Sequence, residues 1–160
     1  MAAELYRTHS VFQNAMDRCH ALAEPHLERG LLEVIFAADS DDALVNRTDY
    51  TQPAVFAVEY ALAKLIKSWG IVPNAAIGHS LGEIAAACVA DVMTLEDAMQ
   101  LVIARGTLMH RVCSAPAKGQ SLSCFPVRAR RVSAWQLSCI ARTLFFGMLW
   151  IAVALWRSRI

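Results

Sequence analysis

The sequence predicts an α/β fold organised around one stretch, residues 78–82, which reads GHSLG and has the form G-x-S-x-G. Small apolar residues at 75–77 lead into this stretch, and a helix-forming run at 83–90 follows it. Patterns of apolar residues at helical spacing lie on both sides of it. Helices alternating with a short buried strand are typical of α/β architecture. We therefore expect residues 77–80 in a small parallel sheet.

A strand, a sharp turn and a helix around G-x-S-x-G form a nucleophile elbow. Gly78 and Gly82 lack Cβ atoms, so strand and helix can approach closely, and the turn holds Ser80 in a strained conformation. The Leu81 N–H and the positive end of the helix would then face Ser80 Oγ. This geometry suits acyl transfer through an ester on Ser80, with the Leu81 N–H as an oxyanion donor. The plainer interpretation is a chance match in a glycine turn.

The chain length and charge pattern indicate one domain, or one domain with a tail, in 160 residues. Residues 1–112 carry eight Lys and Arg against fourteen acids, a net charge of −6. Residues 113–160 carry seven Lys and Arg and no acid, a net charge of +7. Such a break suggests two segments of different origin or role, which we place at 1–112 and 113–160.

Five cysteines lie in the chain without a C-x-x-C pair, and no secretory signal precedes them. An odd number of unclustered cysteines is typical of reduced thiols in a cytoplasmic protein. We expect no metal site, no bound cofactor and no nucleic-acid partner.

Local signals predict the helices that surround the central stretch. The first is a helix near the N-terminus with Ser10 as its N-cap, which ends before Pro25, and a short helix or turn at 31–36 and an acidic loop at 39–42 follow it. A long helix begins at Thr51 with Pro53 in its first turn and ends at Gly70. A further helix begins with a capping-box pattern at Thr94 and runs to about Met109.

The pattern loosens from Ala115, and residues 143–156 are fourteen uncharged, mostly apolar positions between arginines. As a helix they would span ~21 Å, less than the ~30 Å hydrocarbon core of a bilayer. The segment is either a buried or disordered hydrophobic tail or a membrane-associated segment.

Three separated motifs carry a family resemblance: DYTQPA at 49–54, GHSLGE at 78–83 and ARG at 104–106. In this order and spacing they resemble the acyltransferase domains of modular polyketide synthases. The malonyl-CoA:acyl carrier protein transacylases of fatty acid synthesis are close relatives. The resemblance covers roughly residues 1–112 and implies the α/β-hydrolase-like large subdomain of that family.

The resemblance implies that Ser80 accepts a malonyl-type acyl group from CoA and passes it to the phosphopantetheine thiol of an acyl carrier protein. Arg105 matches the arginine that pairs with the free carboxylate of the acyl group. His79 matches the second residue of the elbow and is a candidate substrate-binding residue, although packing is the role that we favour for it. Gln52 borders the pocket of the family, although its position also suits the start of a helix. Leucine at position 81 weakly favours malonyl as the acyl group.

The family pattern is incomplete in this sequence. The first strand and the glutamine-bearing loop of the family lie before residue 1, and its general-base histidine lies beyond residue 160. His110, five positions after Arg105, would lie well round the helix from it and is a poor candidate for the base. The resemblance therefore implies a domain truncated at both ends and impaired as a catalyst.

Two alternatives from other classes remain open. A free-standing serine hydrolase would need an acid and a histidine after Ser80, for which Asp91, Glu96, Asp97 and His110 are available. A non-catalytic, membrane-associated remnant of an acyltransferase is favoured only by the basic and apolar tail.

Overall fold

The structure is a computed structural model that describes residues 2–37 and 42–114. The described residues up to His110 belong to one compact unit. The described chain contains seven α-helices and one 3₁₀ helix, Glu24–His26. The α-helices are α1 (Ala2–Thr8), α2 (Ser10–Ala23), α3 (Leu31–Phe36), α4 (Asp42–Val45), α5 (Thr48–Ser68), α6 (Leu81–Val89) and α7 (Leu95–Ser114).

The core forms where α2, α5 and α7 bury their apolar stripes against one another. Phe12 and Met16 of α2, Phe56 of α5, and Met99 and Val102 of α7 are all fully buried. Each helix repeats its buried residues at three and four positions, as an amphipathic helix with one face in the core does. This core fixes α5 and α7, the two helices that carry the polar residues of the candidate site.

The N-terminal helices agree with the predicted pattern except at one boundary. The cap of α2 is His9, and Ser10 is the first helical residue. The helix ends at Ala23, before Pro25, as predicted. Residues 31–36 form a helix rather than a turn.

Helix α5 begins at Thr48, three residues earlier than the sequence predicts, so Pro53 lies inside the helix instead of in its first turn. Thr51 Oγ1 explains the early start, because its one hydroxyl proton is shared between the carbonyls of Val45 and Arg47 and holds the first turn closed. At the other end, Gly70 has φ +81° and closes the helix as predicted, in a left-handed conformation that glycine adopts without strain.

The predicted elbow strand is not formed by the described residues. Residues 71–80, between α5 and α6, have no regular secondary structure, and Ile77 is 88% exposed. A strand exists only through hydrogen bonds to a neighbouring strand, and the described part of the chain provides none. The expectation of a small parallel sheet is therefore wrong for these residues, although residues 77–80 also do not lie in a helix.

Helix α7 begins as the capping pattern predicts. Thr94 Oγ1 accepts a hydrogen bond from the Asp97 N–H at 3.1 Å and also lies 2.7 Å from Asp97 Oδ2. Further along, Gly106 is buried against the start of α5: a Cβ atom there would lie 2.9 Å from the Thr48 carbonyl oxygen. The absent side chain therefore permits a close approach of the two helix backbones.

Two predictions fall on residues outside the described ranges: most of the acidic loop at 39–42 and the apolar run at 143–156. Of the helices that are described, none is long and apolar enough to cross a membrane.

Replacing Gly106 by alanine should destabilise the protein by about 1–3 kcal/mol, because the new methyl group must push α7 away from the Thr48 carbonyl. Urea unfolding followed by circular dichroism measures the change. The matched control is Gly82→Ala in α6, where a Cβ atom meets nothing within 4 Å of the described residues. A Gly106→Ala variant as stable as Gly82→Ala would show that the close approach is not needed.

Glu59 of α5 is a half-buried acid with one buried, unpaired carboxylate oxygen. Its Oε2 atom is shielded from solvent and has no hydrogen-bond partner among the residues described. Burial raises the pKa of the Glu59 carboxyl to about 7 from an ordinary value of 4.5. Between pH 4.5 and about 7, the folded state therefore binds a proton at Glu59 that the unfolded state has already lost.

The sign of the effect on stability follows from this difference. The contribution of protonated Glu59 is fully present below pH 4.5 and is lost as the pH rises toward about 7. Glu59→Gln should therefore raise the free energy of unfolding by about 1–3 kcal/mol at about pH 8 and by much less near pH 4.5. Unfolding measured at both pH values, with Glu24→Gln as an exposed control, checks this. An equal effect at both pH values would contradict it.

Candidate functional site

The site is centred on Ser80, which joins residues 71–79 to α6. Its backbone has φ +56° and ψ −111°, a conformation that a non-glycine residue adopts only under constraint. Gly78 supplies part of that constraint, because a Cβ atom at this position would lie 2.2 Å from the backbone of Gly82. The tight turn needs glycine at 78, and it leaves the Ser80 side chain exposed.

The second glycine of the motif has a different environment from the one expected. A Cβ atom at Gly82 would meet nothing within 4 Å, so no close packing in the described residues requires glycine there. Leu81 is the first residue of α6, and its N–H therefore has no acceptor within the helix. This N–H and the positive end of the helix dipole lie beside Ser80, where they favour negative charge.

Arg105 connects Ser80 to the body of the protein. Its Nη2 atom donates a hydrogen bond to Ser80 Oγ at 2.8 Å, and its Nη1 atom donates to Gln52 Oε1 at 2.5 Å. Gln52 Nε2 in turn lies 3.2 Å from Met109 Sδ, a weak acceptor. Three residues that are far apart in sequence are thus joined through one guanidinium group.

The packing of α5 and α7 explains how this group of residues forms. Gln52 is only 7% exposed, so its position is fixed by the core face of α5. Gly106 follows Arg105 directly and brings α7 against the first turn of α5. The arginine stem therefore starts close enough to α5 for the guanidinium to reach both Gln52 and Ser80.

An ion pair next to this contact fixes the start of α5. Arg47 Nη2 lies 2.7 Å from Asp49 Oδ2, and Arg47 Nε also donates to Asp49 Oδ1. Burial acts to raise the pKa of Asp49, but the hydrogen bonds and charge of Arg47, with a smaller effect of His110, hold it below its ordinary value. Asp49 therefore stays ionised, and its charge is already matched by Arg47.

The two histidines considered from the sequence do not contact the nucleophile. His79 is exposed among the described residues, and its expected roles stay predictions. The charge of His110 acts on Asp49, where it helps to lower the pKa of that carboxyl. Within the part of the chain that the structure describes, Ser80 Oγ has Arg105 as its hydrogen-bond partner and no histidine.

Two residues of this arrangement, Gly106 of the ARG motif and Met109, were not predicted from the sequence to belong to the site. Gly106 had a readable signal, because a glycine inside a helix costs about 1 kcal/mol relative to alanine and usually indicates close packing. Met109 had none, since a methionine on a helix is ordinarily a core residue.

The arrangement suits the binding of an anion beside a serine nucleophile. A guanidinium contacts Ser80 Oγ, and helix α6, whose N-terminus favours negative charge, begins at the next residue. No group of three or more His, Cys, Asp or Glu side chains that could hold a metal ion lies in the described ranges.

The family model and the sequence relatives of this chain indicate the same family. Residues 1–136 match the family model of the acyl transferase domain, a match that extends beyond residue 112. The chain is 48% identical over 112 residues to the PKS-NRPS hybrid synthetase ATPKS of Aspergillus niger, covering 69% of this chain and 6% of that protein. It is 47% identical over 121 residues to the polyketide synthase GfsA of Streptomyces halstedii, covering 74% of this chain and 2% of that protein.

Solved structures agree with the sequence relatives. The acyl transferase domain of ZmaA matches with a TM-score of 0.64 and 44% identity, over 69% of this chain and 26% of that one. The acyl transferase domain of SpnD, in complex with 2-(pent-4-yn-1-yl)malonyl, matches with a TM-score of 0.58 and 37% identity, over 68% and 25%. These neighbours are α/β proteins, and this chain spans about a quarter of their length. The chain therefore belongs to the acyl transferase domain family, of the kind found in polyketide synthases.

Proposed function

We propose that this chain is part of an acyltransferase domain that moves a malonyl-type acyl group from CoA to an acyl carrier protein through an ester on Ser80. The observation that carries the proposal is the hydrogen bond from Arg105 Nη2 to Ser80 Oγ. A single CH₂ group separates the carboxylate of a malonyl group from its thioester carbon. A carboxylate held by Arg105 would therefore bring that carbon next to Oγ.

The two half-reactions balance as follows. In the first, the bond from Ser80 Oγ to the acyl carbon forms, the carbon–sulfur bond of the thioester breaks, and the Oγ proton ends on the CoA sulfur. In the second, the carrier thiol attacks the ester, Oγ leaves, and the thiol proton returns to Oγ. The Leu81 N–H would stabilise the oxyanion in both steps. We assign no described residue as the base that carries the proton.

The substrate and partner assignments rest on family membership and on charge. The SpnD domain was solved with a substituted malonyl group, and the guanidinium of Arg105 suits a free carboxylate here. No bound cofactor is needed for these steps. The partner is the phosphopantetheine thiol of an acyl carrier protein, and a cytoplasmic location is part of the same proposal. The division into a core at 1–112 and a tail at 113–160 also remains a proposal.

The serine hydrolase alternative has less support. It requires a histidine that activates Ser80, and the histidines of the described residues do not make this contact. A membrane-associated role depends on the tail, which lies outside the described ranges.

The direct test is incubation of the purified chain with malonyl-CoA, followed by intact mass measurement and peptide mapping. We expect a malonyl adduct on Ser80 that is absent in Ser80→Ala. A malonyl adduct of equal amount in the Ser80→Ala variant would refute the proposal.

Arg105→Ala should slow malonylation of Ser80 by about 10- to 100-fold, the value of a hydrogen bond to a charged group. Acetylation from acetyl-CoA should not be slowed in this way, because acetyl has no free carboxylate. The measurement is the ratio of the two initial acylation rates in wild type and variant. Equal losses for both substrates would show that Arg105 does not recognise the carboxylate.

Gln52→Leu should reduce the same malonyl-to-acetyl ratio by about 2- to 10-fold, because Arg105 loses the neutral acceptor that orients it. A purely structural role would lower both rates together and leave the ratio unchanged. Gln100→Leu, at an exposed position of α7, is the matched control and should keep the wild-type ratio.

A further inference from the structure

The hydrogen bond between Arg105 and Ser80 occupies both groups before any substrate is bound. Oγ accepts from Nη2 at 2.8 Å, so one oxygen lone pair of the nucleophile is held by a cation. The other terminal nitrogen, Nη1, donates to Gln52. Attack on a thioester needs an Oγ lone pair directed at the acyl carbon, and the lone pair that accepts from Nη2 is not free to make this attack.

The two partners of Arg105 are not equally easy to displace. Gln52 is 7% exposed, and its Oε1 atom would be left without a partner in a buried place if Nη1 moved away. Ser80 is exposed and can exchange the arginine for water. An incoming carboxylate is a charged acceptor and binds a guanidinium more strongly than a hydroxyl does. It should therefore take Nη2 from Ser80 while Nη1 stays on Gln52.

We propose that Arg105 and Ser80 form a resting pair, and that the free carboxylate of the acyl group breaks it and releases the nucleophile. This inference rests on the proposed function and extends it. Substrates with a free carboxylate would be favoured twice, because the carboxylate binds Arg105 and because it restores the reactivity of Ser80. An acyl group without a carboxylate would meet a serine that is still held. Gln52 is the positioning residue that keeps Arg105 in place during the exchange.

Phenylmethanesulfonyl fluoride tests the resting pair without the acyl transfer reaction, because it is neutral and carries no carboxylate. In this reaction the bond from Oγ to sulfur forms, the sulfur–fluorine bond breaks, and the Oγ proton leaves with fluoride as HF. The rate of Ser80 sulfonylation in the full chain is followed by mass spectrometry, with and without free malonate. Malonamide, of similar size and uncharged, is the control ligand.

We expect malonate to speed sulfonylation of Ser80 by about tenfold, the equivalent of one hydrogen bond, and malonamide to leave it unchanged. Arg105→Met should react at the faster rate with or without malonate. Arg18→Gln, which removes a distant exposed arginine paired with Glu96, should behave as wild type. Thermal unfolding of each variant shows that it is folded.

The proposal is overturned if malonate slows sulfonylation or leaves it unchanged, or if Arg105→Met reacts no faster than wild type, including the case in which neither reacts. The outcome is separate from that of the malonyl-CoA experiment. Malonylation of Ser80 without a malonate effect on sulfonylation would keep the proposed function and remove the resting pair. If malonate speeds sulfonylation but malonyl-CoA does not malonylate Ser80, the resting pair is kept and the proposed function is removed.

Discussion

The guanidinium group of Arg105 is the point at which the separate parts of this site meet. It starts on α7, reaches the core face of α5 through Gln52, and ends at Ser80 in the turn before α6. That reach depends on the contact at Gly106, where the backbone of α7 lies so close to α5 that a Cβ atom would be 2.9 Å from a carbonyl oxygen. The chemistry proposed for the site therefore depends on the packing of two helices.

The nucleophile is held by local backbone geometry as well as by this long-range contact. Ser80 has a positive φ, and the turn that produces it leaves no room for a side chain at Gly78. Strain of this kind persists only when the surrounding structure determines it, and it is common at catalytic residues. The two constraints are independent, since one belongs to residues 78–82 and the other to the interface of α5 and α7. Together they fix Oγ relative to the positive charges around it.

The sequence was informative where the determinants are local. The capping pattern at Thr94, the helix end at Gly70 and the stop before Pro25 each depend on a few neighbouring residues, and each lies where it was predicted. The start of α5 was missed by three residues because Thr51 bonds back to the preceding turn. The strand before Ser80 could not be judged in the same way, because a strand depends on a partner that can come from anywhere in the chain.

In the candidate site, too, the local features could be predicted from the sequence and the long-range contacts could not. The G-x-S-x-G motif identified Ser80, whose turn requires glycine at 78 but not, among the described residues, at 82. The contact between Gln52 and Arg105 joins positions 53 residues apart, and no spacing rule connects them. Only the family resemblance drew attention to both. His79 lies beside the nucleophile in sequence and is exposed, so no contact among the described residues assigns it a role.

A crystal structure of the full chain with bound malonate would test the central claim most directly. We predict a malonate carboxylate within hydrogen-bond distance of Arg105 Nη2, with Nη1 still on Gln52 Oε1 and Ser80 Oγ no longer bonded to the arginine. Malonate bound away from Arg105, or an Arg105 that leaves Gln52 while still holding Ser80, would contradict it.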